Sequence, residues 1–92
     1  MSVNVNTEVD AKLKEIVIDT VVDATGLKCP LPLLKLKQAL RDCNIDHFVE
    51  LLSSDEGSLR DVPKWIEMVG LELTTQTIND AGITSFIVKK II

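Results

Sequence analysis

Apolar residues recur along this chain with two different periods, and the switches between the periods mark six elements. Ile16-Val17-Ile18-Asp19-Thr20-Val21-Val22-Asp23 is dense in β-branched residues and predicts a first strand over 16–23. From Pro30 to about Asp42 the spacing becomes helical, with Leu33, Leu36, Ala39, Leu40 and Cys43 on one face. Phe48-Val49-Glu50-Leu51-Leu52-Ser53 predicts a second strand, and Ser54-Asp55-Glu56-Gly57-Ser58 supplies turn residues after it. Leu59, Val62, Ile66 and Val69 return to helical spacing and predict a second helix over 59–69. Ser58 or Asp61 is its expected cap, and Gly70 its stop. Pro63 falls inside that span, so the helix is expected to start near Asp61 or to kink. Residues 71–78 and 83–91 then predict a hairpin that turns at Asn79-Asp80-Ala81-Gly82.

The order β-α-β-α-β-β predicts an α+β fold: a two-layer α/β sandwich, with two helices packed on one face of a mixed four-stranded sheet. The chain has 92 residues, enough for one domain. Residues 1–15 are expected to form a flexible lead and 16–92 a single domain. Several strands carry apolar residues on both faces. The open face of the sheet is therefore expected to be partly covered, by the lead or by a partner.

One segment adds chemistry to this pattern. Asp23-Ala24-Thr25-Gly26-Leu27-Lys28-Cys29-Pro30-Leu31-Pro32 reads as a strand end, a glycine turn and a cysteine at the mouth of a helix. Proline is tolerated in the first helical turn, where its missing N–H would have no intrahelical acceptor. That predicts Cys29 as the cap, Pro30 as the first helical residue and Pro32 as the third. A thiolate there would face unpaired N–H groups and the positive end of the helix dipole, so its pKa is expected below the free value of about 8.5. The Leu31 N–H is the expected donor to the sulfur, and Lys28 adds a nearby cation. Asp23 is expected to brace the turn by bonding the backbone of Thr25 or Gly26. The opposing reading makes Cys29 a small buried residue that happens to precede a helix.

Other residues sort around that thiol. Leu31 and Leu34 fall off the core face of the first helix and predict an apolar rim for docking, with Lys35 and Lys37 adding charge. Trp65 and Met68 are expected to pack in the second helix. Cys43 lies about 20 Å along the same helix from Cys29, beyond disulfide reach, and its wheel position reads as structural. With one histidine in the chain and two distant cysteines, no metal site is expected, and no cofactor. A net charge of −4 and 3% aromatic content argue against direct binding of nucleic acid. No basic, apolar leader opens the chain and no apolar run approaches a membrane span, so a cytoplasmic protein with no membrane contact is expected, as a monomer.

The pattern Asp23, Gly26, Cys29, Pro30, Pro32 after a short strand resembles the TusA/SirA-like family of small sulfur carriers. Ser54-Asp55 followed by Arg60-Asp61-Val62-Pro63 is similar to a second block of that family. The resemblance covers about residues 20–92. It implies a sulfurtransferase in which Cys29, the one catalytic residue carried over, accepts sulfane sulfur as a persulfide. The donor it implies is a protein, a cysteine desulfurase or a rhodanese-like one. An acceptor protein then takes the sulfur for tRNA thiolation, cofactor biosynthesis or sulfur oxidation. Asp23, Gly26, Pro30, Pro32, Arg60, Asp61 and Pro63 carry over as motif positions, structural or in docking. Two departures bear on the pathway: the lead over 1–16 is longer than the family's minimal form, and Leu31 stands where some tRNA-pathway members have an acid. A second reading is an interaction or regulatory module in which Cys29 only packs. Thiol–disulfide exchange is the third, and it lacks a second cysteine at Cys-x-x-Cys spacing.

Overall fold

A computed structural model describes residues 17–92. The elements are β1 (Ile18–Ala24), α1 (Leu31–Asp42), β2 (Phe48–Ser53), α2 (Ser58–Val69), β3 (Glu72–Ile78) and β4 (Thr84–Lys89). They form one mixed sheet of order β1-β2-β4-β3, in which β1 and β2 run parallel and the other two pairings are antiparallel. The expected element order and the two-layer α+β architecture are both present.

The two central strands show why a sheet forms here. In β2, Val49, Leu51 and Ser53 are buried while Phe48, Glu50 and Leu52 are half-exposed. In β4, Thr84, Phe86 and Val88 are buried while the residues between them are half-exposed. This period of two puts every second side chain under the helices. Leu36 and Leu40 of α1 and Val62 and Ile66 of α2 close over that face and join Ala24, Val49, Leu51, Phe86 and Val88 in one core. Leu33, Ala39 and Cys43 pack at its margin, as the helical spacing anticipates. The expected lead over 1–15, with its part in covering the outer face, lies outside the described residues, as does the start of the expected strand at Ile16.

The second helix departs from expectation at its start. It begins at Ser58 and runs unbroken to Val69, with Gly57 in the cap position and no side-chain cap bond. Neither Ser58 nor Asp61 caps it. The Ser58 hydroxyl is buried and engages Ser53 Oγ at 3.2 Å and Asp55 Oδ2 at 3.5 Å, and the Asp61 carboxylate is engaged elsewhere. The Asp55 carbonyl accepts the Ser58 N–H, the Glu56 carbonyl accepts that of Leu59, and the Gly57 carbonyl those of Arg60 and Asp61. Pro63 therefore sits inside the helix, where its ring leaves only the carbonyl of Leu59 without a helical donor. Gly70 ends the helix at φ 82°, a left-handed conformation that favours glycine, and the Leu71 N–H reaches back to the Ile66 carbonyl at 3.0 Å. The β3–β4 turn is held by the Asn79 side chain, whose Oδ1 accepts the N–H groups of Ala81 and Ile83.

Candidate active site

Parallel pairing of β1 with β2 decides where the site forms. Ala24 pairs with Ser53, so both strands end at the same edge of the sheet and both following helices begin there. The β1–α1 loop, which carries Cys29, is thereby laid beside the β2–α2 loop. Two bonds tie the loops together: the Gly26 N–H donates to Ser54 Oγ at 2.8 Å, and the Cys29 N–H to Asp55 Oδ2 at 3.2 Å. Gly26 stands at φ 81°, which the turn requires. Asp23 Oδ1 accepts both the Thr25 N–H at 3.0 Å and the Thr25 hydroxyl at 2.6 Å, forming the expected brace. These bonds hold the Asp23 carboxyl below its usual range, the hydroxyl contributing most and the N–H next.

The cysteine itself is arranged differently from expectation. Pro30, not Cys29, occupies the cap position of α1, at φ −96° and ψ 11°, and Leu31 is the first helical residue. The Cys29–Pro30 peptide is cis. The Leu31 N–H donates to the Lys28 carbonyl at 2.9 Å, so it is unavailable to the sulfur. The thiol instead donates to Asp61 Oδ2 of α2 at 3.3 Å. That bond raises the Cys29 pKa above its ordinary value; desolvation and the charges of Asp61 and Asp55 push the same way, and Arg60 opposes them. The expected depression of the thiol pKa is thus reversed. The Leu31 N–H is spent within its own turn, whereas the β2–α2 segment acts on the sulfur with two carboxylates, Asp61 and Asp55. Lys28 is exposed and is not among the charges acting on the thiol.

The remaining candidates divide into those at the thiol and those beyond it. Arg60 is exposed, with Nε 3.7 Å from Asp61 Oδ1. Pro32 is fully buried and anchors the first turn of α1 in the core. Leu31 and Leu34 are about half exposed and Lys35 is exposed, all in the first turns of α1. Pro63 lies two residues past Asp61 in α2. Cys43 is half-buried just after α1, with its thiol donating to the Leu40 carbonyl, and both cysteines are free. Trp65 packs against the core with Lys37 Nζ 5.4 Å from its ring centre. Met68, expected to pack, is 74% exposed. It stands between Glu67 and Val69, off the stripe set by Val62 and Ile66. Among the described residues no three potential ligands converge on a metal position, and no helix is long and apolar enough to cross a membrane.

Sequence reasoning missed Asp55 and Gly57 as parts of the cysteine's surroundings. A β-carbon on Gly57 would lie 3.0 Å from Asp55 Oδ2 and 3.5 Å from Cys29 Cβ, so the loop packs closely against the cysteine at this glycine. The signal for Asp61 was in the topology. Parallel neighbours followed by helices bring the two helix starts together, so an acid in the first turns of the second faces the thiol at the first.

Fold and site together define a small α+β domain that presents one exposed thiol at the junction of an edge strand and a helix. Residues 20–90 match the sequence profile of the family described as sulfurtransferase TusA, and the chain belongs to that family. It is 32% identical over 78 residues to a sulfur carrier protein TusA of Pseudomonas syringae pv. tomato, covering 85% of this chain and 93% of that one. It is 36% identical over 72 residues to a sulfur carrier protein TusA of Pseudomonas putida, covering 78% and 89%. The fold matches the crystal structure of a SirA-like protein from Desulfitobacterium hafniense with a TM-score of 0.71 at 23% identity, covering 79% of this chain and 99% of that one. Family membership supports a role in carrying sulfur.

Proposed function

We propose that this protein carries sulfane sulfur as a persulfide on Cys29, received from a donor protein and relayed to an acceptor protein. The observation that carries the reading is the exposed Cys29 thiol at the sheet edge, in the Cys-Pro-Leu-Pro segment of a chain that belongs to a sulfur-carrier family. Cys43, the other thiol in the sequence, is half-buried and bonded to its own helix.

The chemistry conserves oxidation state. Cys29 Sγ attacks the outer sulfur of the donor's R–S–SH. The donor's S–S bond breaks, its electron pair leaves on the donor thiolate, and Cys29–S–SH forms. Delivery repeats the step with an acceptor thiol as nucleophile. A cysteine desulfurase or a rhodanese-like protein supplies such a donor persulfide. Leu31, Leu34 and Lys35, exposed in the first turns of α1, form the docking rim. An apolar Leu31 suits an apolar partner surface, whether the acceptor serves tRNA thiolation, cofactor biosynthesis or sulfur oxidation. Asp23, Gly26, Pro30 and Pro32 shape the loop; Lys28, Arg60 and Pro63 complete the surround. The proposed setting is the cytoplasm, where the chain acts as a monomer.

The second reading, an interaction module with an inert cysteine, draws on the same protonated thiol. Mass spectrometry separates the two. The protein is incubated with a cysteine desulfurase and cysteine, or with a rhodanese and thiosulfate, beside Cys29→Ser and Cys43→Ser variants. The carrier reading expects a reductant-sensitive gain of about 32 Da, one sulfur, that is lost only in Cys29→Ser. No gain with either donor leaves the interaction module.

A further inference from the structure

The partner of the Cys29 thiol comes from another helix, and the sulfur-carrying role gives that partner no task of its own. We propose that Asp61 is the catalytic acid–base of the Cys29 site. It accepts the Sγ proton as Cys29 attacks the donor's outer sulfur and returns that proton to the departing donor sulfur. The inference rests on the persulfide reading above and names the residue that makes it work.

The two groups are positioned by separate anchors. Cys29 is fixed through its backbone, whose N–H is held by Asp55 Oδ2. Asp61 is fixed by α2, where its own N–H bonds the Gly57 carbonyl at 3.0 Å. Arg60 Nε lies nearest Asp61 Oδ1, at 3.7 Å, which leaves Oδ2 to the sulfur at 3.3 Å. The carboxylate touches the reacting atom and has a second oxygen held by a cation, the arrangement of an oriented base. The charged groups that act on the thiol are Asp61 and Arg60 of α2 and Asp55 of the β2–α2 loop; Lys28 of the thiol's own loop is exposed and does not act on it.

A purely structural role accounts for this pairing less well. A hydrogen bond between two solvent-accessible side chains contributes little to stability. It also holds the nucleophile in its less reactive, protonated form. A base in contact resolves that conflict, because a thiolate released from a weakly acidic thiol is intrinsically the stronger nucleophile. The proton balance closes in both directions. During loading, the Sγ proton moves to Asp61 and then to the donor thiolate. During delivery, the acceptor thiol gives its proton to Asp61, its sulfur takes the outer sulfur of Cys29–S–SH, and Asp61 protonates Cys29 as its S–S bond breaks. No external oxidant or reductant enters either step.

The test is Asp61→Asn, which keeps size and polarity and removes the base. Two quantities are measured from about pH 6 to 9, a window around the ordinary thiol pKa. One is the rate of Cys29 alkylation by iodoacetamide. The other is single-turnover sulfur uptake from a persulfidated cysteine desulfurase at saturating concentration, so that weakened docking does not enter. The expected result is that the two move in opposite directions. Alkylation at neutral pH speeds up, because the thiol is released from its carboxylate, while sulfur uptake slows by about a hundredfold, the scale of general-base catalysis. Asp61→Glu, which retains a carboxylate, restores uptake to within about tenfold of the parent on the same scale. Uptake that stays at the parent rate in Asp61→Asn, or that changes in the same direction as alkylation, overturns the assignment. So does a Glu variant that folds, by circular dichroism, yet takes up sulfur no faster than the Asn variant. A parent protein that gains no sulfur refutes the persulfide reading itself, and Asp61 with it. A parent that loads, beside an Asn variant that loads as fast, refutes Asp61 alone.

Discussion

Gly57→Ala tests whether the β2–α2 loop holds the cysteine in place. Gly57 has φ −61°, which alanine adopts without strain. On backbone grounds alone, Gly→Ala at such a position stabilises by about 0.4–1 kcal/mol. The added β-carbon, however, meets Asp55 Oδ2 at 3.0 Å, where ordinary contact begins at 3.4 Å. The carboxylate must give by about 0.4 Å; a retreat away from its two donors, the Cys29 N–H and the Ser58 hydroxyl, now at 3.2 and 3.5 Å, would take both bonds beyond hydrogen-bond range. Two hydrogen bonds at about 1 kcal/mol each outweigh the backbone gain and leave a net loss of about 1 kcal/mol. For a domain of this size that lowers Tm by about 4–8 °C. Calorimetry reads the stability, and iodoacetamide labelling of Cys29 reads the site, where alkylation should accelerate as Asp55 moves away. A Gly57→Ala protein that is more stable than the parent, with unchanged labelling, would show that Asp55 does not tether the cysteine loop.

Other expectations follow from the same geometry. Phe86→Ala removes the largest fully buried side chain and should destabilise by about 3–5 kcal/mol in a urea titration, with any residual native protein retaining Cys29 reactivity. Gly70→Ala forces a side chain into a φ of 82° and should cost about 1–2 kcal/mol while leaving Cys29 labelling unchanged. The raised thiol pKa means that the unfolded chain gives up its Cys29 proton first as pH rises. Stability linked to Cys29 is therefore present below the unfolded thiol value of about 8.5 and lost as pH climbs through the folded value; Cys29→Ser should remove that alkaline loss from a pH series of melts. Asp23 has the opposite sign: its lowered pKa contributes stability above the unfolded carboxyl value of about 3.9 that is lost on acidification, and Asp23→Asn should flatten the acid limb. Leu31→Asp with Leu34→Asp should raise the KM for a desulfurase donor about tenfold or more, with Cys29 alkylation unaltered. An unchanged KM would remove both leucines from the docking rim.

What was legible in the sequence was whatever depends on neighbours along the chain. The alternation through β2, the helical spacing of Leu36 and Leu40, the glycine stop at Gly70 and the turn at Asn79–Gly82 are local signals, and each element formed where its signal stood. Local rules failed where a distant segment competed for the same group. Ser58 looked like a cap, but its hydroxyl is buried against Ser53 and Asp55. Leu31 looked like a donor to the sulfur, but its N–H closes the turn onto Lys28. The protonation of Cys29 was misjudged for the same reason. The helix-start argument counts only the cysteine's own segment, its N–H groups, dipole and Lys28, and the governing hydrogen bond is to Asp61, 32 residues further along the chain. Motif spacing marked Asp61 as notable without saying what it touches, because only the parallel pairing of β1 with β2 brings it to the thiol.

The bond from Cys29 to Asp61 also bears on survival between transfers. An exposed thiolate is an early target for peroxides, and oxidation past the sulfenic stage to sulfinic or sulfonic acid is generally irreversible. Because vulnerability follows thiolate character, a thiol held towards its protonated form by a neighbouring carboxylate is less open to such damage, even at an exposed position. In the proposed role, the same contact lowers the thiolate fraction of the unloaded protein and with it the susceptibility of Cys29 to irreversible oxidation.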